Sequence, residues 1–264
     1  MDFRKYPRIR HLDGSARHGD DDALPFASLD ELRGRRVVIT EKLDGANAGV
    51  SFDTTGALVL QSRGHVLTGG ARERHFALLK TWAQAHRDVL YDVLGERFTV
   101  YGEWLYARHT VFYDALPHYF VAFDALDRTA EAFLAGDARD ELLAELPLAA
   151  PPRHFAGLLD DPRAVLDALP PRSACKTHRW REHLREAATE GEVGEWGDPE
   201  RAIRETCPRD EAEGFVVVVE EDDRVVDRMK WVRRSFVTAL EASGSHWLSR
   251  PILVNRLDEG VTLW

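Results

Sequence analysis

Cysteine is nearly absent. The 264-residue chain holds two, Cys175 and Cys207, without CxxC spacing or a companion cluster, which excludes a disulfide framework and gives no zinc site to expect. Both read as buried or idle thiols. Long apolar runs are missing too: none approaches the roughly 20 residues of a membrane helix, and the opening MDFRKYPRIR lacks the apolar core of a signal peptide. A cytoplasmic location is expected. Internal repeats are lacking, and so is positive charge, since 35 Lys and Arg face 45 Asp and Glu for a formal net charge of -10. That balance argues against attraction of the whole molecule to a polyanion.

What is present is an ordinary globular composition, 44% hydrophobic and 30% charged, in a chain long enough to bury a large core. Two local stretches run against the acidic total. Residues 1–18 carry Arg4, Lys5, Arg8, Arg10 and Arg17, and a second stretch carries Arg172, Lys176, Arg179, Arg181 and Arg185. Each is a candidate contact surface, although charge runs are commonly just solvated faces. Acid concentrates in residues 186–200 and 220–223.

Residues 1–36 are polar and basic and are broken by Pro7, Gly14, Gly19 and Pro25, so they read as an N-terminal arm packed on, or leading into, a core that occupies 37–264. Val37-Val38-Ile39 starts a strand, and residues 48–52 and 57–61 flank Asp53-Thr54-Thr55-Gly56, a hairpin turn. Residues 71–94 place Phe76, Leu79, Trp82, Ala83, Val89, Leu90 and Val93 at near-helical spacing. Strand character returns at 98–101 and 119–123. From about 129 to 210 the composition turns Ala-, Leu-, Glu- and Arg-rich with Pro-Pro interruptions, which predicts helices joined by loops. Residues 215–219 and 224–232 read as a late hairpin, and a short helix around 236–242 is expected in the tail.

The sharpest local feature is Thr40-Glu41-Lys42-Leu43-Asp44-Gly45-Ala46-Asn47, a lysine at the end of an apolar strand. Lysine is a nucleophile only when its amine is neutral, which requires desolvation or neighbouring cations to lower its pKa. Gly45 would permit close backbone approach to a nucleotide, and Asp44 could orient the lysine. Alone, Lys-x-Asp-Gly is short enough to be a turn after a strand. It has company: Ser62-Arg63-Gly64, Tyr101-Gly102-Glu103-Trp104, Val121-Ala122-Phe123-Asp124, Glu213-Gly214-Phe215-Val216-Val217 and Met229-Lys230-Trp231-Val232 follow in order.

In kind, order and spacing these segments resemble motifs I, Ia, III, IIIa, IV and V of the covalent nucleotidyltransferase superfamily of DNA ligases, RNA ligases and capping enzymes. Glu41-Lys42 followed by Asn47, with Gly102-Glu103-Trp104-Leu105-Tyr106, is most similar to ATP-dependent RNA ligases. The opening Lys5-Tyr6-Pro7-Arg8 and His11-Leu12-Asp13-Gly14-Ser15 also resembles small RNA-ligase-like proteins. The resemblance implies an α+β nucleotidyltransferase domain (an ATP-grasp-like ligase adenylation domain), with antiparallel sheets flanked by helices and no separate OB-fold.

It implies roles as well. Lys42 would attack the α-phosphate of ATP to give lysyl-AMP, and Lys230 would neutralise charge on that phosphate. Arg228 stands where a second motif V lysine is usual and would serve the nucleotide with a differently shaped donor. Glu103 would bind ribose and Glu213 a divalent metal, Mg²⁺ or Mn²⁺. Phe123 would stack on adenine, with Phe120 the alternative; either ring could equally be core. Arg63 would contact a phosphate, Glu41 the adenine edge, and Asn47 the reacting ends. The partner implied is nucleic acid with 5′-phosphate and 3′-OH ends, RNA preferred, and a separate end-healing kinase or phosphatase could cooperate. The basic stretches would hold the strand, with Trp180 a stacking platform or a core residue. Rival readings are a DNA ligase, an enzyme that stops at adenylylation or capping, a degenerate RNA-end-binding module, and an unrelated α/β protein.

Overall fold

The computed structural model of the protein describes residues 3–19, 24–167, 170–190, 199–244, 250 and 252–264. Part of the acidic stretch 186–200 lies outside the described residues.

In chain order the elements are β1 (Arg10–His11), β2 (Arg36–Lys42), β3 (Ala46–Phe52), β4 (Leu58–Ser62), α1 (Ala77–Ala85), α2 (Arg87–Leu94), β5 (Phe98–Trp104), β6 (Phe120–Asp127), β7 (Ala132–Phe133), α3 (Gly136–Leu143), β8 (Arg153–Leu158), α4 (Ala164–Asp167), α5 (Trp180–Glu190), α6 (Pro199–Arg204), β9 (Gly214–Glu221), β10 (Arg224–Val232) and α7 (Arg234–Ala242). The strands form two sheets, ordered β1-β10-β9-β2-β8 and β4-β3-β5-β6-β7. Every pairing is antiparallel except β1 on β10.

Period-two alternation explains the layering. In the first sheet Val37, Ile39, Phe215, Val217, Val219 and Met229 turn outward onto Leu12, Leu32, Leu159 and Val165. Their neighbours Val38, Thr40, Lys42, Val216, Val218 and Lys230 turn inward to a cavity. The second sheet packs Val50, Phe52, Val100, Phe120 and Ala122 against Leu79, Trp82, Leu90 and Leu94 of the two helices behind it. Its inner face presents Asn47, Glu103, Val121 and Phe123 to the same cavity. Both sheets are covered on their outer faces, so a nucleotide-sized space lies between two layers rather than on the surface.

Turn chemistry fixes the hairpins. The Asp53 carboxylate accepts from the amides of Thr55 (2.9 Å) and Ala57 (3.1 Å), closing β3 onto β4. Between β9 and β10, Asp222 and Asp223 both adopt positive φ, 47° and 60°, the twist that a two-residue hairpin turn requires.

Two expectations need correction. The segment 129–210 does contain helices α3 to α6, but it also supplies β7 and β8, and β8 completes an edge of the first sheet on β2. Its sequence RHFAGL lacks β-branched residues, and pairing with β2, through a bulge at Ile39/Thr40, sets its conformation. The helical stretch 71–94 begins as a 3-10 turn, Ala71–Phe76, before α1 and α2. The N-terminal arm is woven in: Tyr6, Leu12 and Ala27 are buried, and β1 extends the first sheet.

Candidate active site

The cavity between the sheets has a volume of about 750 Å³, within the usual range for a small-molecule site. Lys42, Lys230, Glu103, Asn47 and Arg63 line it together with the apolar side chains of Phe123, Val216, Val218, Leu134 and Val225.

Lys42 is the last residue of β2, and the turn that follows is pinned. The Asp44 carboxylate accepts from the amides of Thr110 and Val111, both 2.7 Å, and the Asp44 amide donates to Tyr113 Oη at 2.8 Å. Asp44 thus fastens a loop as well as facing the lysine. Packing alone demands glycine at 45: a Cβ there would lie 2.7 Å from the Trp104 carbonyl oxygen and 2.7 Å from Leu105 Cδ2. The close approach is to strand β5. Gly214 is tighter still, since a Cβ would fall 1.9 Å from the Trp231 carbonyl oxygen.

Two cations, Lys42 and Lys230, meet three carboxylates here, Glu213, Glu103 and Asp44. Lys42 Nζ donates to Glu213 Oε2 at 2.9 Å. Burial pulls the Lys42 pKa down, but Glu213 and Glu103 outweigh it and leave the amine pushed up to about 12. Burial, with its carboxylate neighbours, pushes Glu103 up to about 8 against the pull of Lys42, and burial pushes Glu213 up to about 7. Glu103 also accepts from the Gly45 amide at 3.1 Å. The depressed lysine pKa expected from sequence is therefore not a property of the ligand-free site, where the surrounding acid holds the ammonium form.

The other predicted residues fall into two groups. Asn47, paired with Glu103 across β3 and β5, lines the cavity, and its buried Oδ1 has no hydrogen-bond partner. Arg63, at the exposed end of β4, and half-buried Phe123 also line it. Phe120 points the other way into the core beside Trp82, with ring centroids 5.9 Å apart, so Phe123 is the ring available to a base. Arg228 is committed elsewhere: its guanidinium clamps Asp124 at 2.7 and 3.0 Å. Glu41 keeps its backbone near the cavity, but its carboxylate accepts from Ser173 Oγ and from the Ala174 amide at 3.0 Å. That carboxylate ties down a loop.

Trp180 is 1% exposed and donates Nε1–H to Asp210 at 2.8 Å; it is core, not a stacking platform. Around it Arg181 and Arg172 pair with Asp210 and Arg179 pairs with Glu182, so much of that stretch's positive charge is neutralised. Sequence reasoning missed Tyr6, Pro7, Ile9 and Arg139, which line the cavity. Only the quoted opening Lys5-Tyr6-Pro7-Arg8 hinted at the first two.

Two facing sheets with a lysine-bearing cleft between them define a nucleotidyltransferase fold of the ligase type. The RNA ligase family model matches residues 35–232, from just before β2 to the end of β10, and the chain belongs to that family. No curated protein matches it in sequence. Among solved structures, a Naegleria gruberi RNA ligase variant with AMP and Mn is similar at a TM-score of 0.52 and 13% identity, covering 91% of this chain and 59% of its own. An archaeal ATP-dependent RNA ligase is similar at 0.50 and 16%, covering 88% and 49%. A second Naegleria gruberi variant, with ATP and Mn, is similar at 0.51 and 14%, covering 81% and 54%. At these identities the likeness is one of fold, and the chain spans between about half and three-fifths of the length of these relatives.

Proposed function

We propose that the protein is an ATP-dependent RNA ligase working through a lysyl-AMP intermediate on Lys42. The observation that carries this reading is the Lys42–Glu213 pair at 2.9 Å inside a cleft whose wall also offers Lys230, Glu103 and the unpartnered Asn47 Oδ1. An orphaned buried oxygen is costly unless something satisfies it, and a nucleotide in the cleft would.

In the first step the neutral Nζ of Lys42 attacks the α-phosphorus of ATP, forming a P–N bond as the P–O bond to pyrophosphate breaks. The ammonium must first lose a proton, and Glu213 is the nearest acceptor. Lys230, on the row Thr40–Val216–Lys230 of the first sheet, supplies positive charge to the phosphate. Phe123 and Val216, which line the cavity, would hold the base, and Glu103 the ribose.

A divalent cation, Mg²⁺ or Mn²⁺, fits hard carboxylate oxygens such as those of Glu213 and would supply charge that weakens the lysine's hold on its proton. Such an ion would be bound jointly with the substrate phosphates. AMP then passes to a 5′-phosphate, and a 3′-OH displaces it to form the phosphodiester, RNA being the preferred polymer.

The test is incubation with α-labelled ATP or GTP and a divalent cation, wild type beside Lys42→Ala, followed by denaturing electrophoresis. A Lys42-dependent ATP adduct supports the reading, and 5′-phosphorylated RNA and DNA nicks then settle the polymer. A folded wild type that takes label from neither nucleotide leaves an end-binding module as the better account.

A further inference from the structure

We infer that the N-terminal arm is a working part of the active site: a clasp in which Ser15 and Tyr6 fix strand β10, and with it Lys230 and the ring of Phe123. The inference rests on the nucleotidyltransferase reading of the cleft and assigns to that site two positioning residues from the opening segments that precede motif I.

Strand β10 pairs with β9 on one side only. Without the arm it would be the sheet's edge, with an open row of amides and carbonyls and freedom to shift. The arm fills that side. His11 stands opposite Lys230 in parallel register, and the Leu12 amide donates to the Lys230 carbonyl at 2.9 Å. Two residues on, the Val232 amide donates to Ser15 Oγ at 2.9 Å, and the Ala16 amide donates to the Val232 carbonyl at 2.9 Å. Ser15 Oγ is itself held 2.7 Å from His11 Nδ1. The backbone carrying Lys230 is thus fastened from the arm on both sides of Trp231.

The second fastening crosses between the sheets. Tyr6 Oη donates to Asp124 Oδ2 at 2.5 Å, and Asp124 accepts both prongs of Arg228 from β10. The Tyr6 ring meets Phe123 edge-on with centroids 5.1 Å apart and lies 5.1 Å from Tyr101. Gln61 Nε2 (2.9 Å) and Tyr101 Oη (2.7 Å) both donate to the Arg4 carbonyl and moor the arm to the second sheet. Tyr6 therefore touches the base end of the cavity while joining β6 to β10, and Ser15 governs the phosphate end. The two should fail differently.

The experiment measures single-turnover lysyl-AMP formation over graded ATP, together with amide hydrogen exchange along β10 and melting temperature. The variants are Ser15→Ala, Tyr6→Phe and, as a control on the same arm, Arg33→Ala, whose exposed side chain pairs with Asp30. Displacements of about an ångström cost on the order of 100-fold in rate. Ser15→Ala is accordingly expected to lower the saturating rate about 10-fold or more, at nearly unchanged KM for ATP, with faster exchange at Val232. Tyr6→Phe is expected to raise the KM several-fold and spare the saturating rate, and Arg33→Ala to change neither.

Ser15→Ala and Tyr6→Phe proteins that melt lower but keep wild-type rate and KM would reduce the arm to a structural prop and overturn the inference. A wild type that forms no adduct sinks the proposed function instead. In that case exchange still decides the clasp, and Val232 protection that survives Ser15→Ala overturns it.

Discussion

The two ends of the cleft handle charge in opposite ways. At one end Lys42 and Lys230 meet Glu213, Glu103 and Asp44, and burial pushes Glu103 and Glu213 up to about 8 and about 7. At the other, Asp124 is matched by Arg228 and Tyr6 in a buried network. An end with surplus carboxylate is incomplete until cations or a ligand arrive; a balanced end is framework. Chemistry is expected where the charges do not cancel.

The contrast breaks most visibly at the nucleophile, where Lys42→Ala is expected to abolish the covalent adduct in the labelling assay with the protein still folded. At the balanced end, Arg228→Met strands the buried Asp124 carboxylate, and losing one partner of such a pair costs about 3–5 kcal/mol. Urea denaturation should show that loss; a variant as stable as wild type would mean that Asp124 finds other partners.

His118 tests whether acid sensitivity belongs to the framework rather than to the cleft. It lies behind the second sheet, accepts the Phe120 amide at 2.9 Å, and is pushed down by burial to about 4. A histidine whose pKa is lowered on folding stabilises the fold above its unfolded value of about 6.5, and that contribution is lost as pH falls toward 4. At most about 3 kcal/mol is at stake. His118→Gln should flatten denaturation midpoints measured between pH 6.5 and 4.

Within the crowded end, Glu103→Gln is expected to slow adduct formation about 100-fold, roughly 2.7 kcal/mol, without lowering the melting temperature. Because the Glu103 pKa is raised on folding, its ionisation costs stability as pH climbs from the unfolded value toward about 8. The variant should remove that decline. The smallest effect on activity comes from one of two rings: Phe123→Ala should raise the KM for ATP about 10-fold, in line with about 1–3 kcal/mol for a base stack, with little change in melting. Phe120→Ala should destabilise the protein by about 3–5 kcal/mol as a core cavity.

Much of this was legible in the sequence because the motifs carry their chemistry in residue types that fold poorly for any other reason. Lys42, Glu103, Asn47, Arg63, Phe123 and Lys230 all reach the one cavity, and the late hairpin and the helical stretch formed where periodicity put them. The choice between Phe120 and Phe123 was not legible, because alternation along β6 sets the two rings on opposite faces without saying which face turns to the cleft; packing of Phe120 against Trp82 decides it. Strand β8 was hidden because its conformation comes from β2 rather than from its own residues. The second position of motif V shows the same limit from the electrostatic side. Nothing local to Arg228 announces Asp124, which is 104 residues away in the chain.

The pairing of β1 with β10 joins Arg10 to Met229, residues far apart in the sequence, and this gives the molecule an order of assembly. A ribosome adding about 5–20 residues each second would leave the first strand without its partner for tens of seconds. Through that interval the second sheet and its helices can form from neighbouring segments, whereas the first sheet must wait for the final hairpin. The pocket comes into being late, when β10 meets β1.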